Sequence, residues 1–252
     1  MSSVVTTISS ATNSQFKIWK TLVTSKGIKE HNLFFLMGEK LVQEFLKAPA
    51  HGFQPEYIVF DRDIPEKTDI KKTILSPELF KELDVLGTKS PLLILSFNDF
   101  VVKDMQLEPK GLELLCPLGD PRNLGALVRS ATAFSVREII LTKESTHPFL
   151  PHSVKASAGS VLLARFTKTA LSVNEIPLTG NNFALALYGE IITNVKWPRD
   201  LRLWVGEEGP GLNLALEQKK LLKFINIPTA NVESLNAMVS TTIALWEWKK
   251  QN

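Results

Sequence analysis

The stretch LELLCPLGDPRNLGALVRSATAF, residues 112–134, decides the fold. It begins with an apolar run, turns at a Gly-Asp-Pro segment and ends in a helical pattern whose apolar positions share one face: Leu127, Val128, Ala131 and Phe134. A near-continuous apolar strand followed by an amphipathic helix is typical of a parallel sheet covered by helices. The stretch therefore predicts a strand–loop–helix unit of an α/β domain.

The same alternation continues to the C-terminal end of the sequence. The candidate strands are Leu112–Leu118, Glu138–Thr142, Phe183–Tyr188, Arg202–Gly206 and Phe224–Pro228, and the last candidate helix is Ser234–Lys250. Ligands of parallel α/β sheets bind in the loops beyond the carboxyl ends of the strands. The loops after these strands are therefore the first place to look for a site.

The preceding half has a different pattern and predicts a second, smaller α/β unit. Its candidate helices are Gln15–Leu22 and Glu39–Leu46, its candidate strands are Leu33–Met37, Tyr57–Phe60 and Leu92–Phe97, and Ser76-Pro77 is typical of a helix start. We divide the chain into a flexible tail at 1–14, a first domain at 15–104 and a second domain at 105–252. The second domain is expected to fold without the first.

The composition is that of an ordinary globular protein. The 252 residues carry a net charge of +3, which is compatible with an RNA partner but does not require one. The single cysteine, Cys116, excludes an internal disulfide and a multi-cysteine zinc site, and its apolar neighbours predict that it is buried. No apolar stretch approaches the roughly 20 residues of a membrane span. We predict a cytoplasmic protein.

Three loops carry the candidate chemistry: 118–125, which precedes a helix containing Arg129; the glycine-rich loop 205–212; and 227–236, which opens the last helix. Each loop taken alone is better explained as a turn with a helix cap, and Arg129 alone as a solvated side chain. The glycine spacing of the second loop matches neither the dinucleotide-binding nor the phosphate-binding pattern.

Together the loops resemble the three ordered motifs of the SpoU/TrmH (SPOUT) family of RNA methyltransferases. The first motif is Asn123–Phe134, the second is Gly206–Leu212, and the third is Ile227-Pro228 with Ser234-Leu235-Asn236; Val154–Gly159 is similar to another family segment. The resemblance covers about residues 15–250. Three positions depart from the family pattern: Ser135, Glu207 and Thr229.

The resemblance implies a trefoil knot in the second domain, a ribosomal-protein-like substrate-binding domain before it, and a homodimer. It also implies that S-adenosylmethionine binds among the three loops. The residues that would hold this cofactor are Leu185, Leu187, Gly206, Gly211, Ile227, Leu235 and Asn236.

By the same resemblance, the catalytic residues are Arg129, Asn123, Glu208, Ser234 and Asn236. Arg129 has been considered as a base in this family, but a guanidinium with a pKa above about 12 is a poor base at neutral pH. We interpret Arg129 as a clamp that orients the substrate ribose and stabilises developing negative charge. Asn123 would hold Arg129 or the substrate, and no metal is required.

The implied activity is methylation of ribose 2′-hydroxyls in RNA, with large-subunit ribosomal RNA as the predicted target. One alternative substrate is transfer RNA, and another member of the same family would be an antibiotic-resistance methyltransferase. An alternative of a different class is an RNA-binding module whose catalytic site has decayed. Decay should first remove the polar catalytic residues, and all of them are present in the sequence.

Overall fold

The structure, a computed structural model, describes residues 5–63, 69–206 and 212–252. In chain order these residues form β1 (Val5–Ile8), α1 (Ser14–Thr21), α2 (Ser25–His31), β2 (Leu33–Leu36), α3 (Glu39–Lys47), β3 (Phe53–Phe60), β4 (Lys71–Leu75), α4 (Pro77–Leu83), β5 (Leu92–Phe97), β6 (Val101–Val102), β7 (Leu112–Cys116), α5 (Pro121–Ala133), β8 (Glu138–Leu141), α6 (Pro151–Ala156), β9 (Phe166–Lys168), β10 (Asn182–Ile191), β11 (Leu201–Trp204), α7 (Leu216–Leu221), β12 (Lys223–Asn226) and α8 (Ala237–Gln251). Short 3₁₀ helices lie at Ser160–Leu162, Val173–Glu175 and Ile192–Asn194.

The chain divides into two compact units. The first comprises residues up to 99 together with 147–162, and the second comprises 100–146 together with 163–252. The first boundary lies close to the division at 104 that the sequence predicts. The assignment of residues 147–162 differs from that prediction, which placed all of 105–252 in one domain.

The first unit contains a mixed sheet in the order β1-β4-β3-β5-β2. Strands β1, β4 and β3 are parallel, whereas β5 runs antiparallel to β3 and β2. The prediction of a flexible tail at 1–14 is wrong for Val5–Ile8, which pairs with β4 along the edge of the sheet. The β-branched residues of this segment suit an edge strand. The helix start predicted at Ser76 is confirmed, since its side chain accepts a hydrogen bond from the Leu79 N–H.

Residues 147–162 belong to the first unit because their aromatic and apolar side chains complete its core. The ring of Phe149 stacks on Phe34 at 4.4 Å and meets Phe97 edge-on at 4.8 Å. Phe149 is only 1% exposed. The backbone N–H of His147 donates to the Ser25 hydroxyl at 3.1 Å. A segment that follows β8 of the second unit is thus built into the interior of the first.

The second unit contains a seven-stranded sheet in the order β12-β10-β11-β7-β8-β9-β6. All of its described pairings are parallel, which confirms the predicted parallel α/β fold. Every residue of β7, β8 and β11 is buried, including Cys116. A parallel sheet buried on both faces explains why these strands are near-continuous apolar runs. The trefoil knot stays a prediction.

The amino-terminal ends of three central strands are joined by buried charges. Glu113 on β7 accepts from Lys103 at 2.7 Å and from the Arg202 guanidinium of β11 at 3.0 Å. Lys103 also pairs with Glu138 of β8 at 2.5 Å. Each charge in this region, which is shielded from water, has an oppositely charged partner. Burying one of these carboxylates without such a partner would be strongly unfavourable. Among the helices of the described ranges, none combines the length and apolarity of a membrane span.

Candidate active site

A cavity of about 500 Å³ opens at the carboxyl ends of β11 and β12 and beside the middle of β10, next to the start of α8. Its walls belong entirely to the second unit. Among the residues that the structure describes, those lining it are Leu185, Ala186, Leu187, Gly206, Leu212, Ile225, Ile227, Ser234, Leu235, Asn236, Ala237, Ser240 and Thr241. The position agrees with the general rule that open parallel sheets bind ligands beyond the carboxyl ends of their strands.

Seven residues that the sequence places in the site meet in this cavity: Leu185, Leu187, Gly206, Ile227, Ser234, Leu235 and Asn236. They come from three separate stretches of chain. Two further predicted residues, Glu208 of the catalytic set and Gly211 of the cofactor set, lie outside the described residues. Six lining residues were not predicted, and half of them (Ala237, Ser240 and Thr241) share one face of the first turns of α8.

Asn236 caps the helix that forms one wall of the cavity. Its side-chain oxygen accepts the backbone N–H groups of Met238 at 2.9 Å and Val239 at 3.2 Å. The helix therefore starts at Ala237, and the sequence prediction of a start at Ser234 is three residues early. Ser234 instead lies in the loop, exposed and on the cavity wall. Asn236 thus fixes the orientation of this wall by satisfying the first N–H groups of the helix.

Helix α5, which carries the first motif, begins earlier than its apolar pattern indicates. Asp120 is its N-cap and accepts from the N–H groups of Arg122 at 2.7 Å and Asn123 at 3.1 Å. Asn123 therefore lies in the first helical turn and not before the helix. Arg129 follows it by six positions, which places the two about 9 Å apart along the axis and about 120° apart around it. Asn123 is half-buried and Arg129 is exposed.

Neither Asn123 nor Arg129 lines the cavity. The helix that carries them is nevertheless packed against the cavity-lining helix. The Thr242 hydroxyl of α8 donates to the Ser130 hydroxyl of α5 at 2.8 Å, and the rings of Phe134 and Trp246 lie 6.1 Å apart. The helix that carries Arg129 therefore packs on α8, directly after the turn of α8 that lines the cavity.

A polar loop after β8 braces the approach to α5. The Ser145 hydroxyl donates to the carbonyl of Cys116 at 2.5 Å, and the Thr146 N–H donates to the carbonyl of Leu118 at 2.9 Å. Burial raises the pKa of the Glu144 carboxyl, but hydrogen bonds from the Thr142 hydroxyl and from backbone N–H groups outweigh it and hold this pKa below its ordinary value. Glu144 also accepts the Val173 N–H at 3.0 Å and so ties two loops together.

We expect the contribution of Glu144 to stability to depend on pH. Because its pKa is lowered in the folded state, the carboxylate stabilises the fold above the pKa of the unfolded chain, and this contribution is lost as the pH falls through the folded-state value. Glu144→Gln should therefore lower the melting temperature slightly at pH 7. The difference from the wild type should shrink as the pH is lowered below the ordinary glutamate pKa of about 4.3. A difference that stays constant between pH 7 and pH 3 would contradict this role.

The model of the SpoU rRNA Methylase family matches residues 114–246, more than half of the chain. The Ribosomal RNA small subunit methyltransferase G 2 of Syntrophobacter fumaroxidans is 32% identical over 257 residues, which cover 96% of this chain and 49% of that protein. The chain therefore spans about half the length of this relative. The 23S rRNA (guanosine(2553)-2'-O)-methyltransferase RlmP of Bacillus subtilis is 29% identical over 250 residues, which cover 95% of this chain and 97% of that one.

The fold is likewise found among solved structures. The SpoU methyltransferase AviRb from Streptomyces viridochromogenes, crystallised in complex with the cofactor AdoMet, superposes with a TM-score of 0.77 at 19% identity. The match covers 95% of this chain and 98% of AviRb, so both units have counterparts in that fold. The family match, the two relatives and the shared fold confirm the resemblance recognised in the three motifs. The chain belongs to the SpoU rRNA Methylase family.

Proposed function

We propose that the protein transfers a methyl group from S-adenosylmethionine to a ribose 2′-hydroxyl of large-subunit ribosomal RNA. The observation that carries this proposal is the cavity at the sheet's carboxyl edge, where seven residues of the predicted site meet. The Bacillus subtilis relative, which matches over nearly its full length, is named for the same reaction. The small-subunit name of the other relative belongs to a protein that this chain matches over only 49% of its length, so it carries less weight.

The cavity suits S-adenosylmethionine in size and in chemistry. Its volume of about 500 Å³ lies in the usual range for small-molecule sites. Apolar walls at Leu185, Ile225 and Ile227 suit the faces of an adenine, whereas Ser234 and Ser240 offer hydrogen-bonding groups. When bound, S-adenosylmethionine supplies a methyl group that its sulfonium centre already activates. The reaction therefore needs no metal.

The protein side chains orient the acceptor. Arg129 clamps the substrate phosphate through its guanidinium fork and stabilises charge that develops on the 2′-oxygen. Asn123, in the same helix, holds Arg129 or the substrate. Ser234 contacts the arginine or the ribose, and Asn236 keeps the cavity-lining helix in place through its cap. Glu208 belongs to the same set by its position in the second motif.

The enzyme acts as a homodimer in the cytoplasm. Helix α8 leaves Val239 and Trp246 exposed at 49% and 54%, and these residues lie two turns apart along the helix. Large apolar side chains exposed on one helix face favour a protein interface. A second copy on this face would bring another α5, with its Arg129, toward each cavity. This arrangement explains why Arg129 does not line the cavity of its own chain.

The proposal predicts both binding and transfer. Calorimetry should detect S-adenosylmethionine binding, and the melting temperature should rise with its concentration because a ligand that binds only the folded state stabilises it. Tritiated cofactor should then label an unmodified large-subunit RNA transcript at an alkali-resistant linkage, with bulk transfer RNA and small-subunit RNA as controls. Sedimentation should give the mass of a dimer. Absence of heat and of a thermal shift at millimolar cofactor would refute the cofactor site, and labelling of transfer RNA alone would refute the substrate.

A further inference from the structure

Strand β10 leaves the sheet beside the cavity and then rejoins it. Its residues 183–185 pair in register with 223–225 of β12, after which Glu190 pairs with Ile225 again. Residues 186–189 are therefore excluded from the ladder as a bulge. Bulges are rare in parallel sheets, and next to active sites they redirect side chains. Two residues of this bulge, Ala186 and Leu187, line the cavity.

Three residues hold the bulge in its shape. Gly189 has φ +119°, and a Cβ at this position would collide with the carbonyl of Phe224, so no other residue fits without a shift of the backbone. The side-chain amide of Asn226 donates to the carbonyl of Leu187. The ring of Tyr188 rests against Phe224 with 4.9 Å between the centroids. Residues 187, 188 and 189 of the bulge are thus each constrained.

The bulge presents two large apolar side chains to solvent. Leu187 is 66% exposed and Tyr188 is 61% exposed. Since Leu187 forms part of the cavity wall, the adjacent Tyr188 lies next to the cavity. The Tyr188 ring packs against Phe224 with the two planes tilted by 51°, and its large exposed fraction leaves it accessible for stacking with another ring.

We propose that Tyr188 stacks on an unpaired base of the substrate RNA, next to the ribose that is methylated. This assignment rests on the proposed function, because it makes the bulge a substrate contact of the same site. Sequence-specific recognition of RNA relies on splayed bases that stack on aromatic side chains. Leu187 meets the cofactor cavity, and Tyr188 meets the RNA.

The stretch of chain that leads into β12 is basic. Residues 217–223, directly before Phe224, contain Lys219, Lys220 and Lys223. Glu217 pairs with Lys220 at 2.9 Å, and Glu190 is the acidic residue that follows the bulge. A positive excess remains after both carboxylates are counted. Lys223 itself lies over the ring of Phe183, at the start of β10. Binders of single-stranded nucleic acid combine base stacking on aromatic rings with attraction of the phosphate backbone to basic residues.

The test compares Tyr188→Ala, Tyr188→Phe and the control Leu163→Ala, whose leucine is 72% exposed and remote from the bulge in sequence. The probe is an unmodified large-subunit RNA transcript at fixed salt. For each protein we measure the Kd for this RNA by filter binding, the Kd for S-adenosylmethionine by calorimetry, and KM and kcat for methyl transfer. Melting curves establish that each variant is folded.

Loss of one stacked base should raise the RNA Kd and KM of Tyr188→Ala by about 5- to 150-fold. Cofactor affinity should not change, and Tyr188→Phe and Leu163→Ala should match the wild type. The inference is overturned if the alanine variant binds RNA as the wild type does, if its defect lies in cofactor affinity, or if phenylalanine is as damaging as alanine. Should the wild type bind RNA without transferring methyl groups, the proposed function fails, and the RNA Kd values still decide the role of Tyr188.

Discussion

Replacing Arg129 with alanine should lower the rate of methyl transfer by a factor of about 10²–10³, while the fold and cofactor affinity stay nearly unchanged. The side chain is exposed and lies outside the cavity wall, so its loss removes little packing and no cofactor contact. What it removes is a charged donor placed where negative charge develops. Single-turnover rates with saturating RNA and cofactor, together with melting curves, separate these effects. A variant with the wild-type rate would overturn the catalytic assignment.

Arg129→Lys distinguishes a clamp from a base. Lysine keeps the positive charge but loses the planar fork that binds a phosphate through two hydrogen bonds. If Arg129 acts as a clamp, the Arg129→Lys enzyme should therefore transfer methyl groups much more slowly than the wild type. The ratio of the two rates should change little between pH 7 and pH 10. A lysine variant near the wild-type rate, with activity rising steeply at high pH, would instead indicate a titrating base. Arg122→Lys, at an exposed position in the first turn of the same helix, is the matched control.

Removal of residues 1–99 should prevent the rest of the chain from folding into a soluble, cofactor-binding protein. This expectation reverses the one drawn from sequence alone. Residues 147–162 are built into the first unit, where Phe149, Val154 and Val161 are each 1% exposed or less. Without that unit these side chains lose their partners and face water, which favours aggregation. Expression of fragment 100–252, followed by gel filtration and calorimetry with S-adenosylmethionine, measures the outcome.

Two further proteins make the fragment experiment decisive. Fragment 100–252 with Phe149, Val154 and Val161 replaced by serine should be more soluble than the parent fragment. Full-length Phe149→Ala should fold but lose about 3–5 kcal/mol of stability, as expected for a buried aromatic side chain. A soluble fragment 100–252 that binds cofactor with the affinity of the intact protein would contradict the discontinuous first unit.

The parallel sheet of the second unit could be predicted because its strands are buried on both faces. The predicted strand Leu112–Leu118 and the observed β7 differ by two residues at one end. The following helix begins at Pro121, six residues before Leu127, the first apolar position of its predicted pattern. The sequence Asp120-Pro121 is compatible both with a turn and with an N-cap followed by the first helical residue. The apolar pattern identifies the helix, and the cap determines where it begins.

Short or polar helices and strands have no clear apolar pattern and were therefore not predicted. Strand β4 begins with two lysines, and α2 contains Gly27 and four charged or ionisable residues in seven. The assignment of residues 147–162 to the first unit could not be predicted, because it depends on tertiary packing. The local pattern of apolar residues does not indicate in which of the two cores Phe149 is buried. In the site, the motif loops indicated where the cavity lies. Ser240 and Thr241 were missed because small polar residues one turn into a helix look like solvated positions.

The discontinuous first unit also imposes an order of events during synthesis. Phe149 is translated 50 residues after Asp99, which at common elongation rates is a delay of roughly 2.5–10 s. Throughout that interval the face of Phe34 and Phe97 that Phe149 later covers is open to water on the nascent chain. β7, α5 and β8 have already been translated by then, so the early part of the second unit can begin to form before the first is closed. The amino-terminal unit therefore cannot complete its core until part of the second unit has been translated. In most proteins, by contrast, the domain that is synthesised first is also the first to fold.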